Sequence, residues 1–343
     1  MSGIYVSGLG AVSPAGWGVP AFRSALDQGV PIPPKPVARP GWDNPLMVRE
    51  VPSPTPRPAF FAHPRVRRAS PITLYAAGAA LEAMESAGVS GENMPARLGL
   101  VMCILAGCVR YSHRFFDETL KDPATASPLI FPETVFNAPA SHVSALLGRA
   151  PETCTLLGDP STFLQGMALG ADWLLEGRVD GCLVVGAEET NWLLADVLWH
   201  FDHGAVLGGG AGAVCLTRGG SNSPGVELAL VTDGYLFTTR QDRAQAARRM
   251  RAELPPSSSG ELLCDSLHRG GRADAAETEA WKGWSGARIS PKTILGDGLM
   301  ASGGWQCVAA CDALLRNRFQ AANVSVVGHN QQAIGARFIR NPS

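Results

Sequence analysis

The residues able to do chemistry in this chain fall in three short stretches. The first, "TLLGDPSTFLQGMALGADWLLEG" (Thr155 to Gly177), is an apolar run that turns at Gly158-Asp159-Pro160 and continues with helical period. Such a strand-to-helix elbow presents unpaired N–H groups and the positive end of a helix dipole, a favourable place for a nucleophile. Here the elbow offers Pro160, which has neither a nucleophile nor an N–H, followed by Ser161. Ser161 is open to two readings. It is a displaced nucleophile, or it shares with Asp159 the capping of a helix whose first turn tolerates Pro160. The second stretch, "ELLCDSLH", carries Ser266 and His268. A histidine within reach of Ser161 would make an acyltransferase or hydrolase. The third, "SPKTILGD", sets Lys292 five residues before Asp297, a pair able to neutralise each other. Glu188 and Glu189 form an adjacent acid pair at the end of "GCLVVGAEE".

The elements that must position these residues alternate along the chain. "GIYVSGLGAVS", "RLGLVMCIL", "TCTLLG", "GCLVVGAEE" and "GAVCLTRG" read as strands, separated by helical segments near 70–88, 132–147 and 161–177. After the polar linker "SNSPG" the pattern restarts with "VELALVTDGYLF", "ELLCDS" and "RISPK", a helix over about 298–316, then "NVSVVGH" and "AIGARFIR". This predicts two α/β halves, 1–219 and 220–343. The proline-rich segment 31–58 is expected to lack regular structure and to run over the surface. The glycines of "GGGAG" (208–212) fit close backbone packing better than a phosphate cradle, because no helix with Lys-Ser/Thr follows.

Composition narrows the function. A formal net charge of −1 with interspersed signs provides no broad field for nucleic acid or an anionic membrane. The N-terminus lacks the pattern of a signal peptide and no apolar run is long enough for a membrane span, so a cytoplasmic protein is expected. Eight cysteines lie mostly in apolar runs without metal-ligand spacing and read as reduced, buried thiols.

Several stretches, in order, resemble one family. "VSGLGAVSPAGWGVPAFRSALDQG" resembles the opening of β-ketoacyl synthases, "DWLLEGRVDGCLVVGAEE" the helix and strand after their nucleophile, "GAVLGGGAGAVCL" their glycine-rich segment, and "ISPKTILGDGLMASGGWQ" their lysine-histidine motif. The resemblance implies a thiolase-like α/β fold, two βαβαβαββ-type halves in a five-layer αβαβα arrangement, and no metal or nucleotide cofactor. It also implies a catalytic cysteine and two histidines. Counting back from Glu176-Gly177 puts the cysteine position on Pro160. Gapless counting from Asp274 to Glu277 puts the first histidine on Ser266, and a two-residue shift would put it on His268. The second falls on Asp297. All three positions are substituted, and Phe163, where the family tends to have glycine, would crowd an acyl group.

That pattern of loss resembles the chain-length factors, the ketosynthase β subunits of type II polyketide synthases. "GCVRYSHRFFDETL" resembles their interface helix, with His113, Arg114 and Phe116 as its H-R-x-F element. The resemblance implies a catalytically degenerate subunit that forms a heterodimer with an active β-ketoacyl synthase, through a strand at about 153–158, and serves an acyl carrier protein. Val109, Ser112 and Phe116 would line the end of the partner's acyl tunnel, and their i, i+3, i+7 spacing puts them on one helix face. Lys292 and Glu188 would be structural supports. Arg65, Arg67 and Arg68, or Arg248, Arg249 and Arg251, would help dock an acidic carrier protein. In the loop "GHNQQAIG" (328–335) the family's adjacent glycines are lost and His329 replaces its aromatic, so a mobile gate is not expected. Besides the Ser161 enzyme, the other alternative is a standalone acyl-binding scaffold.

Overall fold

A computed structural model describes residues 2–89, 93–148, 151–220, 225–255, 260–268 and 274–341. The first half contributes strands β1 (Ser2–Ser13), β2 (Leu98–Ile104), β3 (Glu152–Leu157), β4 (Gly181–Glu188) and β5 (Gly210–Gly220). The second contributes β6 (Gly225–Val231), β7 (Glu261–Cys264), β8 (Ala287–Ile289), β9 (Ala321–Val327) and β10 (Gln332–Asn341). Hydrogen bonding runs β3-β2-β4-β5-β1 in one half and β8-β7-β9-β10-β6 in the other. Numbered from its own first strand, each half therefore has the order 3-2-4-5-1, with the fifth strand antiparallel to its neighbours. The halves join where β1 meets β6 at Tyr5 opposite Glu227 and Val6 opposite Val226.

Burial explains the strand sequences. Every residue of β2, β4 and β9 is buried, so these strands read as continuous apolar runs rather than alternating ones. Between the two sheet halves lie α5 (Thr162–Leu175) and α10 (Met300–Leu315). From Met300 to Leu314 every residue of α10 is buried, which is why that helix shows no polar face. α2 (Pro71–Ser86) and α4 (Ala138–Leu147) cover the outside of the first half, while α7 (Arg240–Glu253) and α8 (Ala275–Ala280) cover the second. The result is the expected five-layer αβαβα stack. One close seam is between β5 and α10. A Cβ added at Gly212 would come within 2.5 Å of the Gly304 carbonyl carbon, while one at Gly208 or Gly210 would lie as close to the Leu295 or Val12 carbonyl oxygen.

The proline-rich segment departs from expectation. Lys35–Val37 and Leu46–Arg49 pair antiparallel, and Leu46–Arg49 continues in parallel to Leu207–Gly208, forming a small three-stranded sheet. Leu46 and Val48 alternate inward and are buried, and Pro36 is accommodated because its strand is at the edge. All eight cysteines are free thiols, seven of them buried. No helix among the described residues is long and apolar enough to cross a membrane.

Candidate functional site

Between the end of β3 at Leu157 and the start of α5 at Thr162, the elbow's donors are engaged within the protein. Asp159, buried, is the hub. Its Oδ1 accepts the Ser161 N–H at 3.1 Å and the Ser161 hydroxyl. Its Oδ2 accepts the N–H groups of Gln331 at 3.1 Å and Asn330 at 3.4 Å, and its own N–H donates to the Gln331 side-chain oxygen at 2.9 Å. The capping group is thus the Asp159 carboxylate, and the Ser161 hydroxyl is a buried donor to it. Pro160, also buried, accepts the Phe163 N–H at 3.4 Å. Phe163 fills the space behind the elbow, against Gly186 and Gly303.

A second buried carboxylate organises the opposite wall. α9 (Pro291–Leu295) carries Lys292, and the chain then turns through Gly296 to Asp297, whose main chain pairs with Val206 and Gly208 at 2.8 Å each. Asp297 Oδ1 accepts the Leu299 N–H at 2.8 Å and lies 3.3 Å from the Ser302 hydroxyl. Leu299 is held at φ 48°, a left-handed conformation unusual for leucine, and this contact fixes it. Three nitrogens converge on Oδ2: Lys292 Nζ at 3.1 Å, His268 Nε2 at 3.1 Å and His329 Nε2 at 3.0 Å. The His329 contact has ion-pair distance without hydrogen-bond alignment. Burial alone would raise the Asp297 carboxyl, but Lys292, His329 and His268 outweigh it and hold the group well below the usual carboxylate range.

Two of these contacts were not foreseen in the sequence. On the loop after β7, Ser266 turns away, its N–H at 3.2 Å from Glu277 and its hydroxyl donating to the same carboxylate. The imidazole that reaches Asp297 is that of His268, two residues on. Its own N–H is held by Asp274 at 3.1 Å, and the position that gapless counting from Asp274 reaches, Ser266, faces Glu277 instead. His329 was legible only as the loss of an aromatic. The signal available was charge: a histidine appears in one loop of a chain that has a carboxylate where the resemblance expects a histidine. Ser161 and His268 do not pair, since each is committed to a different carboxylate.

An apolar cavity of about 270 Å³ opens beside this cluster, walled by Leu105, Ala106, Leu194, Leu198 and Leu299, with Asp159, His329 and Asn330 at its polar end. Glu188 stands behind it. Its Oε2 accepts the N–H groups of Leu105 at 3.0 Å and Ala106 at 3.2 Å, while Glu189 accepts those of Ile72 at 3.3 Å and Arg110 at 2.6 Å. Glu189 therefore pins the starts of α2 and α3 (Val109–Lys121), and Glu188 the turn that follows β2. Burial pushes Glu188 up to about 8, against the lowering effect of those N–H groups. Among the described residues no group of three His, Cys, Asp or Glu side chains has metal-holding geometry.

α3 has no buried residue, although it is strongly amphipathic. Val109, Ser112 and Phe116 share one face, Phe116 is 59% exposed, and His113 packs edge-on against Trp192 and sits 3.6 Å from Asp117. Leu120, Leu129, Phe131 and Phe136 extend this apolar surface. β3 ends the sheet, paired with β2 on one side only, and its last residue Leu157 is half exposed.

Residues 1–192, more than half of the chain, match the family model of the β-ketoacyl synthase N-terminal domain. Among solved structures, a β-ketoacyl synthase from Burkholderia phymatum STM815 is similar with a TM-score of 0.81 and 17% identity. A type II polyketide synthase acyl-carrier protein in complex with its ketosynthase bound to the hexaketide gives 0.80 and 16%. The ishigamide ketosynthase/chain length factor gives 0.77 and 20%. Each match covers 99% of this chain and 100% of the other. A search of curated proteins gives no match.

Proposed function

Because this chain belongs to the β-ketoacyl synthase family, we propose that it is a chain-length factor: a ketosynthase-like subunit without condensing activity that pairs with an active β-ketoacyl synthase and shapes its acyl tunnel. The observation that carries this reading is the elbow. Condensation requires a thiolate to carry the acyl chain and donors aimed at the thioester oxygen. Pro160 supplies neither, the neighbouring Ser161 is buried on Asp159, and Asp297 puts a negative charge where a developing oxyanion would need a donor.

The surface supports the partner. An open sheet edge at β3 and an unburied amphipathic α3 are costly to leave in water, and a second ketosynthase-like subunit would cover both. The partner carries the cysteine, takes chains from an acyl carrier protein and performs the decarboxylative condensation. Among the solved relatives, one holds a ketosynthase with its acyl-carrier protein and another is a ketosynthase/chain length factor. The test is intact mass after incubation with acyl and malonyl pantetheine, together with co-purification of a co-expressed type II ketosynthase. We expect no adduct on this chain and a stable complex. An adduct lost in Ser161→Ala would instead make the chain a serine acyltransferase.

A further inference from the structure

The cavity beside Asp297 has an imidazole in its wall and neither a cysteine nor a free hydroxyl at the elbow, and that combination has chemistry of its own. We propose that His329, beside the Asp297 carboxylate, is a general base that removes the C2 proton of a 3-oxoacyl thioester bound in the apolar cavity, making this chain an enolising site. The cluster's residues all lie in this chain, with or without a condensing partner.

His329 forms part of the cavity wall while its Nε2 lies 3.0 Å from Asp297 Oδ2. With Nε2 facing the carboxylate, Nδ1 is the nitrogen left to meet a substrate. At that distance the carboxylate charge stabilises the imidazolium that forms when the ring takes a proton. Lys292, 3.1 Å from the same oxygen, balances the carboxylate in the resting state, and His268 holds it from the other side. The elbow at this end of the cavity offers no acyl acceptor, because Pro160 has no nucleophile and the Ser161 hydroxyl is buried on Asp159. The chemistry is restricted to moving a proton.

Base strength then selects the substrate. An imidazole is too weak to take a proton from a simple acyl thioester, but a carbon flanked by a thioester and a ketone is far more acidic. Leu105, Leu194, Leu198 and Leu299 suit an alkyl tail, and Asn330 at the polar end has an amide to donate to the enolate oxygen. As the C2–H bond breaks, the proton goes to Nδ1. The bonding pair becomes a C2–C3 π bond and the C3 carbonyl π electrons move to its oxygen. Return of a proton from the imidazolium restores the thioester. In D2O the proton returned is a deuteron, and no electrons are gained or lost overall.

The experiment follows deuterium wash-in at C2 of 3-oxooctanoyl-pantetheine in D2O by proton NMR, with full-length protein and with buffer alone. Wild type should exceed the buffer rate by about 100-fold, and both His329→Phe and His329→Gln should fall to the buffer rate while keeping their folds by thermal melting. Octanoyl-pantetheine, which lacks the acidic carbon, should suppress exchange by wild type through occupation of the cavity, a result independent of how either variant folds. Exchange by wild type at the buffer rate, undiminished exchange in a folded variant, or indifference to the octanoyl competitor would overturn the assignment.

Discussion

Asp159 shows how one residue can take up the donors around a strand-to-helix elbow. A nucleophile's turn needs free N–H groups, yet here the carboxylate takes two from loop 328–331, one from Ser161 and the Ser161 hydroxyl as well. Gly328 is glycine for the same reason, since a Cβ there would collide with the Asp159 side chain. Asp159→Ala should leave several buried donors unpaired and cost about 1–3 kcal/mol, with faster amide exchange confined to 328–331 and the elbow. Urea unfolding and hydrogen exchange by mass spectrometry would check this, and unchanged protection of the loop would contradict the tether. Residue identity made part of this legible in advance. Pro160 has neither a nucleophile nor an N–H whatever surrounds it, and Asp297 is a carboxylate in any setting, so that much was legible in the sequence. His329 could not be read the same way, because its role depends on a carboxylate 32 residues away in sequence.

At the scale of elements, β3 is paired on one side only and α3 has no fully buried residue. The hydrophobic period of α3 is legible in the sequence, but only the fold shows that Phe116 on its apolar face stays exposed. The small sheet made by Lys35–Val37, Leu46–Arg49 and Leu207–Gly208 was missed for the opposite reason. Proline content dominated the local reading, while the pairing that stabilises the strands comes from residues far along the chain. On the partner reading, the Val109, Ser112 and Phe116 face closes the partner's acyl tunnel, and Phe116 is its one bulky member. Phe116→Ala should then lengthen the products of the reconstituted complex by at least one extender unit, scored by mass spectrometry, without weakening co-purification. Unchanged product length in an intact complex would remove Phe116 from the tunnel.

The whole molecule repeats one topology twice and buries carboxylates at its seams, and this sets how its stability responds to pH. Burial pushes Glu188 up to about 8, and burial together with Asp265 pushes Glu277 up to about 7. Unfolded, both would titrate near ~4.3. Between those values the native state binds more protons than the unfolded chain, so stability falls as pH rises. The contribution is fully present below the unfolded value and is lost as pH climbs through 7 to 8. Asp297 shifts the other way, well below the usual carboxylate range, so its effect is confined to more acidic solution and does not offset the trend. The melting temperature should therefore be higher at pH 5.5 than at pH 8.5. Glu188→Gln isolates one site, because an amide mimics the protonated acid and can still accept the Leu105 and Ala106 N–H groups. That variant should match wild type at pH 5.5, exceed it at pH 8.5, and flatten the slope by up to one proton's worth, about 1.4 kcal/mol per pH unit. Parallel melting curves for the two proteins across this range would mean that Glu188 is ionised in the native protein at neutral pH. The buried carboxylate against Leu105 and Ala106 would then be a charged anchor rather than a neutral one.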